Sequence, residues 1–347
     1  MANDISKIDK NFAVAQTICK DGMVFYNADT EPFVIYGVFR ENGRYRRMPQ
    51  AVAESAVPGV ARLHTNTAGG RVRFCTNSDK IAIIAEVGNF SRMPHFALTA
   101  GVGFDLYVSD TYAATFVPPV DVEDSFESVR ELGEKAWREI TINFPLYADV
   151  TQLHIGISEG AQLSAPTPYT HETPIVFYGS SITQGGCASR PGNAYTAIVS
   201  RRLDSDHINL GFSGNCRAHV PVMEHIAKLP MSVFVYDYDH NAQTPEFLEQ
   251  THEKGFLIVR QARPELPIVL MTRPNVNLKP DEVERLHTIR TTYQNALARG
   301  DKNVYLIEGS ELMAAAGAEA TVDGIHPNDY GFYSMAGPVT ELLRKLI

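Results

Sequence analysis

Two short stretches of this 347-residue chain hold side chains whose types and spacing could carry out acyl transfer. The first is Pro174-Ile-Val-Phe-Tyr-Gly-Ser-Ser-Ile-Thr-Gln-Gly-Gly186, where Ser180 and Ser181 follow a glycine directly. A serine hydroxyl is a weak nucleophile at neutral pH, so it needs a base, and the base needs an oriented partner. The second stretch, Asp323-Gly-Ile-His326-Pro-Asn328, supplies an acid and an imidazole in one turn. In the expected reaction Ser181 attacks an ester carbonyl, and His326 takes its proton and returns it to the leaving alcohol. Asp323 fixes the imidazole tautomer and stabilises the imidazolium. Each piece also has a plainer reading. Ser180 fits a helix cap, Asp-Gly is an ordinary turn pair, and His240 is a second imidazole that could serve as the base.

The elements around these residues would bring them together. Ile175 to Tyr178 is an apolar run that reads as a buried strand. It breaks at Gly179, and a helical pattern follows over 193–203. Strand, tight turn, helix puts a turn residue at the carboxyl end of a sheet, where open α/β folds bind ligands. Further strands are expected at 207–210, 232–236, 267–271 and 304–307, with helices at 245–263, 280–299 and 330–347. Pro280-Asp281 starts one of these helices and Gly300 ends it. Such alternation implies a parallel sheet with helices on both faces. Arg190 and Arg273 fall on loops at the same sheet edge, where each could bind a polar substrate or be ion-paired.

Residues 1 to about 165 read differently. Val72 and Phe74 alternate with Arg71 and Arg73, and 81–87, 104–108, 140–144 and 153–157 are short apolar or alternating runs between turn signals. This pattern predicts a sandwich or jelly roll, with one helical patch near 122–135, where Glu and Arg dominate. Ala165 to Pro174 holds three prolines and reads as a stiff linker. Two domains are expected, 1–165 and 172–347.

The composition is that of a chain able to bury ordinary cores, 44% hydrophobic and 20% charged. A net charge of -9 with no basic run argues against nucleic acid as a main partner. Four cysteines are too few for a disulfide framework. Cys187 and Cys216 read as buried or pocket-lining residues. His64, His95 and His154 show no ligand spacing, so no metal or cofactor is expected. Met1 to Lys10 lacks the apolar core of a signal peptide, and no run is long enough to span a membrane. These readings predict a cytoplasmic protein.

The serine and Asp-x-x-His blocks distinguish this pattern from α/β-hydrolases. A nucleophile elbow would need glycine where Thr183 stands, and acid and base here share one turn. The combination resembles the SGNH (GDSL) hydrolase family. Gly179-Ser180-Ser181-Ile182-Thr183 looks like its first block, with Ser180 replacing the usual aspartate. Asn209-Leu-Gly-Phe-Ser-Gly-Asn215 looks like its second block, with Gly214 the oxyanion-hole glycine. Asn241, in Asp239-His240-Asn241-Ala242, matches the oxyanion-hole asparagine of the third block, although the flanking Gly-x-Asn-Asp is missing. Asp323 and His326 match the last block.

The resemblance spans roughly half the chain and implies a flavodoxin-like three-layer α/β/α domain, with the Ser181 N–H joining Gly214 and Asn241 in the oxyanion hole. In the first half, Gly101-Val-Gly-Phe-Asp-Leu-Tyr107 resembles the Gly-x-Asp-Leu-Tyr signature of N-terminal domains in one branch of that family. There Asp105 or Tyr107 either helps build a substrate pocket or orders a turn.

The resemblance implies a serine esterase that cleaves short acyl groups, acetyl foremost, from a carbohydrate or another polar small molecule. An acyltransferase would use the same acyl-enzyme, and a non-catalytic carbohydrate-binding protein is the alternative of another class. Self-association is frequent in such enzymes, but no interface signal is visible in the sequence.

Overall fold

The computed structural model describes residues 14–275 and 277–347. The reading of Met1 to Lys10 therefore lies outside the described residues.

In the second half, the strand His171–Gly179 is the hinge of a five-stranded parallel sheet. The order across it is Ser205–Gly211, His171–Gly179, Val233–Asp237, Ile268–Met271, Val304–Ile307. Counted from the first strand of this half, the order is 2-1-3-4-5, as in flavodoxin-like sheets, whose ligands sit where the winding reverses.

The three central strands are buried on both faces, so 175–178, 233–236 and 268–271 are continuously apolar. Ile175 and Phe177 face one helical layer, built on Tyr195–Leu203 and Asp329–Leu343. Val176 and Tyr178 face the other, built on Val220–Lys228, Pro245–Ala262 and Pro280–Ala298. The helix starts are locally encoded. Thr244 accepts a hydrogen bond from the Phe247 N–H ahead of Pro245, and Asn328 accepts one from the Gly331 N–H.

The first half forms two large antiparallel sheets around a single core, and a separate two-stranded hairpin, Phe39–Glu41 with Arg44–Arg46. One runs Met23–Asn27, Asp149–Ser158, Lys80–Gly88, Ser125–Glu131. The other runs Leu163–Ser164, Arg71–Thr76, Arg138–Asn143, Phe104–Val108, Thr111–Phe116, with Val34–Tyr36 also paired to Arg71–Thr76. Phe74, Leu106 and Ile142 of one sheet meet Ile83, Phe126 and Ile155 of the other.

One local expectation fails, and three helices have no counterpart in the sequence reading. The helical patch near 122–135 is the strand Ser125–Glu131, paired antiparallel with Lys80–Gly88. Its Phe126 and Ser128 point inward, while Ser125, Glu127 and Glu131 occupy the more open face, which is a period of two rather than 3.6. The helices Gln50–Ala56 and Pro58–Leu63 were not anticipated. They are seven and six residues long, with Pro58 opening the second, too short for a helical period to stand out. Val220–Lys228 was also missed.

The two early helices pack away from the sandwich. Met48, Ala53, Val60 and Leu63 join Leu210, Phe212 and Met223 in one core of the parallel-sheet layer. Ala68, Ala100 and Leu146 enter its other core. Within the proline-rich connection, Tyr169 is buried, its ring 3.9 Å from the Arg73 guanidinium. Arg71 and Arg73, the polar half of an alternating strand, are therefore covered as well. Among the described residues, no helix is long and apolar enough to cross a membrane.

Candidate active site

The turn after His171–Gly179 is rigid because nearly every group in it is used. A Cβ at Gly179 would collide with the Thr183 side chain. Ser180 caps the short helix Ser181–Gln184, accepting from the Ile182 N–H at 3.1 Å. The plainer reading of Ser180 as a cap is thus what the structure shows. Thr183 donates to the Asp237 carboxyl at 2.7 Å and also pairs with the Tyr195 hydroxyl. Burial, aided by the charge of Asp239 and opposed by Thr183, holds the Asp237 carboxyl up to about 7.

Ser181 stands at the first position of that helix, 9% exposed. Its Oγ lies 2.9 Å from His326 Nε2. His326 Nδ1 lies 2.8 Å from Asp323 Oδ2. With Nδ1–H donating to the carboxylate, a neutral imidazole has Nε2 as its acceptor, and the serine hydroxyl donates to it.

The Asp323 turn is built by its own carboxylate, whose Oδ1 accepts from the backbone N–H groups of His326 at 2.7 Å and Ile325 at 3.0 Å. Partial burial opposes ionisation there, but these donors and the imidazole prevail and draw the carboxyl down to about 2. The loop closes through the Thr321–Pro327 bridge and the Val322 N–H to the His326 carbonyl. It is more open than the nucleophile turn, with side chains 24% exposed at His326 and 34% at Asp323.

Gly214 adopts φ +71°, a left-handed conformation that glycine takes without strain, and open space surrounds its Cα. Asn241 Oδ1 accepts from the Cys216 N–H at 3.1 Å, so its side chain has the amide N–H groups left to offer. Arg217, which the sequence reading passed over, ties the two loops together. It donates to the Asn241 carbonyl and to the Gly214 carbonyl, each at 3.1 Å.

The first half reaches this site through buried side chains. Arg47 donates to the carbonyls of Asn209 at 3.1 Å and Gly211 at 2.6 Å, at the end of the strand that carries the Gly214 loop. Burial brings its guanidinium down to about 9. Gln184 donates to Asn66 and to the Leu146 carbonyl, and accepts from the Ser213 N–H at 2.9 Å. A Cβ at Gly211 would strike the Gln184 backbone. Tyr147 donates to the Ser181 carbonyl at 3.3 Å.

The remaining candidates sit around the site rather than on the serine. Asp105, Tyr107 and Arg190 form one buried cluster. Asp105 accepts from Arg190 at 2.9 Å, the Gly192 N–H at 2.8 Å and Asn143 at 2.8 Å, and Arg190 also donates to Tyr107. Arg273 is ion-paired with Asp239 at 2.9 Å and with Glu282. His240 is not the imidazole bonded to Ser181. Burial draws it down to about 4, with Arg273 and His326 also lowering it and Asp239 opposing, and its Nε2 has no partner among the described residues.

His95 is another residue the sequence did not place. Its ring lies 5.9 Å from that of His326, and His95, Cys187 and His326 each bring a possible ligand atom within 4.8 Å of the others. Burial and the Asp323 charge push the Cys187 thiol up to about 11, which disfavours the thiolate a metal needs.

Residues 172–344 match the model of the GDSL-like lipase/acylhydrolase family, and residues 23–163 match that of the GxDLY N-terminus of SGNH-hydrolase-type esterases. No curated protein matches the chain. Among solved structures, one described as a GDSL-like lipase from Bacteroides ovatus is 29% identical, covers 93% of this chain and 98% of its own, and superposes with a TM-score of 0.83. A salicylyl-acyltransferase from a tetracycline biosynthetic pathway shares 19% identity over 94% of this chain and 97% of its own, with a TM-score of 0.74. A family two carbohydrate esterase from Cellvibrio japonicus shares 12% over 93% and 98%, with a TM-score of 0.63.

Proposed function

The chain belongs to the GDSL-like lipase/acylhydrolase family and is an ester-hydrolysing enzyme, and from that premise we propose a serine esterase that removes short acyl groups, acetyl foremost, from a saccharide or a similar polar small molecule. The observation that carries this reading is the continuous hydrogen-bond chain Ser181–His326–Asp323, at 2.9 and 2.8 Å.

Ser181 Oγ attacks the ester carbonyl while its proton passes to His326 Nε2. The tetrahedral oxyanion is held by the N–H groups of Ser181 and Gly214 and the Asn241 amide. It collapses with cleavage of the bond to the alcohol oxygen, which receives the proton from His326. Water then attacks the acyl-enzyme, giving its proton to His326. The Ser181–acyl bond breaks, and the proton returns to the serine.

In this scheme Asp105, Tyr107 and Arg190 hold the 189–193 loop, and Arg273 holds Asp239. All four are positioning residues rather than substrate contacts. The partly exposed Asp323–His326 side leaves water access to the acyl-enzyme. The carbohydrate esterases among the structural neighbours, one bound to cellohexaose and one an acetyl xylan esterase from Butyrivibrio proteoclasticus, support a saccharide ester as substrate. The division of the chain into 1–165 and 172–347 stays part of the proposal.

Hydrolysis of p-nitrophenyl acetate, butyrate and octanoate by wild type and Ser181→Ala tests the reading. The expected result is activity that falls with acyl length and is lost in the variant. Activity unchanged by the substitution removes Ser181 from the mechanism, and a preference for octanoate removes the short-acyl assignment.

A further inference from the structure

A second polar cavity lies at the opposite edge of the parallel sheet from Ser181. It measures about 290 Å³, enough for a small molecule rather than a single ion, and it opens between Arg71–Thr76 and Arg138–Asn143 of the sandwich and Tyr195–Leu203 of the second half. His207, near the start of Ser205–Gly211, lines it, whereas the catalytic Gly214 loop follows the far end of that strand.

The cavity's wall carries donors that the protein leaves unused. Arg73 is 5% exposed and its guanidinium is fixed, stacked on Tyr169 and bonded through Nη2 to Glu139. Yet its Nε and Nη1 have no partner among the described residues. Both ring nitrogens of His207, 1% exposed, are likewise unpartnered. Arg71, whose donors are already taken, and Arg201, on the other side of the seam, add two further cations to the wall. A buried guanidinium with unpaired, covered N–H groups is costly unless something accepts from them. Its planar fork suits a carboxylate or a phosphate.

The acidic groups of the wall do not fill that role. Glu139 is engaged with Arg73 Nη2, and Asp204 accepts from the Thr170 N–H and hydroxyl. Asp110 is exposed. Burial, followed by the charges of Arg71 and Arg201, holds His207 well below its ordinary value. It therefore stays neutral and able to donate one N–H and accept at the other nitrogen.

We propose that this seam cavity is a binding site for a small organic oxyanion, in which Arg73 receives the carboxylate or phosphate group and the polar wall receives the rest of the molecule. The site is separate from the esterase centre and does not depend on how that centre is read.

The test is calorimetric titration of the full chain with inorganic phosphate and with acetate, at ionic strength held constant with sodium chloride. It compares wild type, Ser181→Ala, Arg73→Gln and the cavity-filling Thr141→Trp. One of the two anions is expected to bind wild type and Ser181→Ala alike with one-to-one stoichiometry. Arg73→Gln should bind roughly 10- to 100-fold more weakly, the effect of losing a charge-assisted hydrogen bond, and Thr141→Trp should not bind. Phosphate without acetate identifies a phosphorylated ligand, and acetate without phosphate a carboxylated one. No saturable binding of either anion by wild type, or equal binding in Arg73→Gln and Thr141→Trp, overturns the proposal. Should Arg73→Gln fail to fold, Thr141→Trp decides alone, because it removes no charge.

Discussion

The two halves of the chain serve the same serine in different ways. The second half holds every group assigned to touch the substrate, and it places them on loops at one edge of one sheet. The first half contributes Arg47, Asn66, Tyr147 and the Asp105 cluster, which bond backbone or loops and reach no reacting atom. The acid–base pair is partly exposed, at His326 and Asp323, while positioning groups such as Arg47 and Asp105 are buried. Chemistry needs access, and geometry needs packing that admits few alternatives. Damage to the first kind should therefore appear in kcat at constant stability, and damage to the second in both.

The sharpest test of that division is Ser181→Ala. It should lower kcat by on the order of 10⁶-fold, abolish fluorophosphonate labelling and leave the melting temperature unchanged. A variant that also melts early would blur the contrast. Asn241→Ala should cost about 100- to 1000-fold in kcat, as removal of an oxyanion donor does, with little change in KM for p-nitrophenyl acetate. A smaller loss in kcat is expected for Arg47→Met, which strands the carbonyls of Asn209 and Gly211. Urea unfolding should report a loss of about 1–3 kcal/mol in stability. Full activity with full stability in that variant would break the comparison from the first-half side.

The last test leaves catalysis aside, reads stability alone and concerns Asp237. Its carboxyl is held up to about 7 in the fold, against about 3.9 in an unfolded chain. Between those values the folded state binds the extra proton, so this group's stabilisation is greatest below the lower value and is lost as pH rises through the upper one. Asp237→Asn cannot titrate. The melting temperature of wild type relative to that variant should therefore fall between pH 5 and pH 8, and a constant difference would exclude the buried proton.

What was legible in the sequence follows from range. Ser181 is announced by an apolar strand and a glycine break. Asp323 and His326 share one turn, and helix caps such as Thr244 sit beside the helices they start. All of these are local. Arg47 could not be found this way, because its carbonyl partners lie more than 160 positions downstream. His95 meets His326 only through the fold. Ser125–Glu131 was misread because charged residues on the open face of an edge strand mimic a solvated helix when the pairing partner is unknown. Asp105 stands out in the sequence through its Gly-x-Asp-Leu-Tyr setting, yet its partners, a loop N–H and an arginine of the other half, are tertiary facts.

The packing of Gln50–Ala56 and Pro58–Leu63 has a consequence for how the protein is made. Their apolar residues Ala53, Val60 and Leu63 are buried against Leu210, Phe212 and Met223. On a ribosome those partners arrive about 150 residues later, roughly 7–30 s at ordinary elongation rates. Throughout that interval the early helices have no surface to close against, although the sandwich strands flanking them in sequence can already pair. The nascent chain thus carries these apolar side chains uncovered until the strand and loops that bury them have been made.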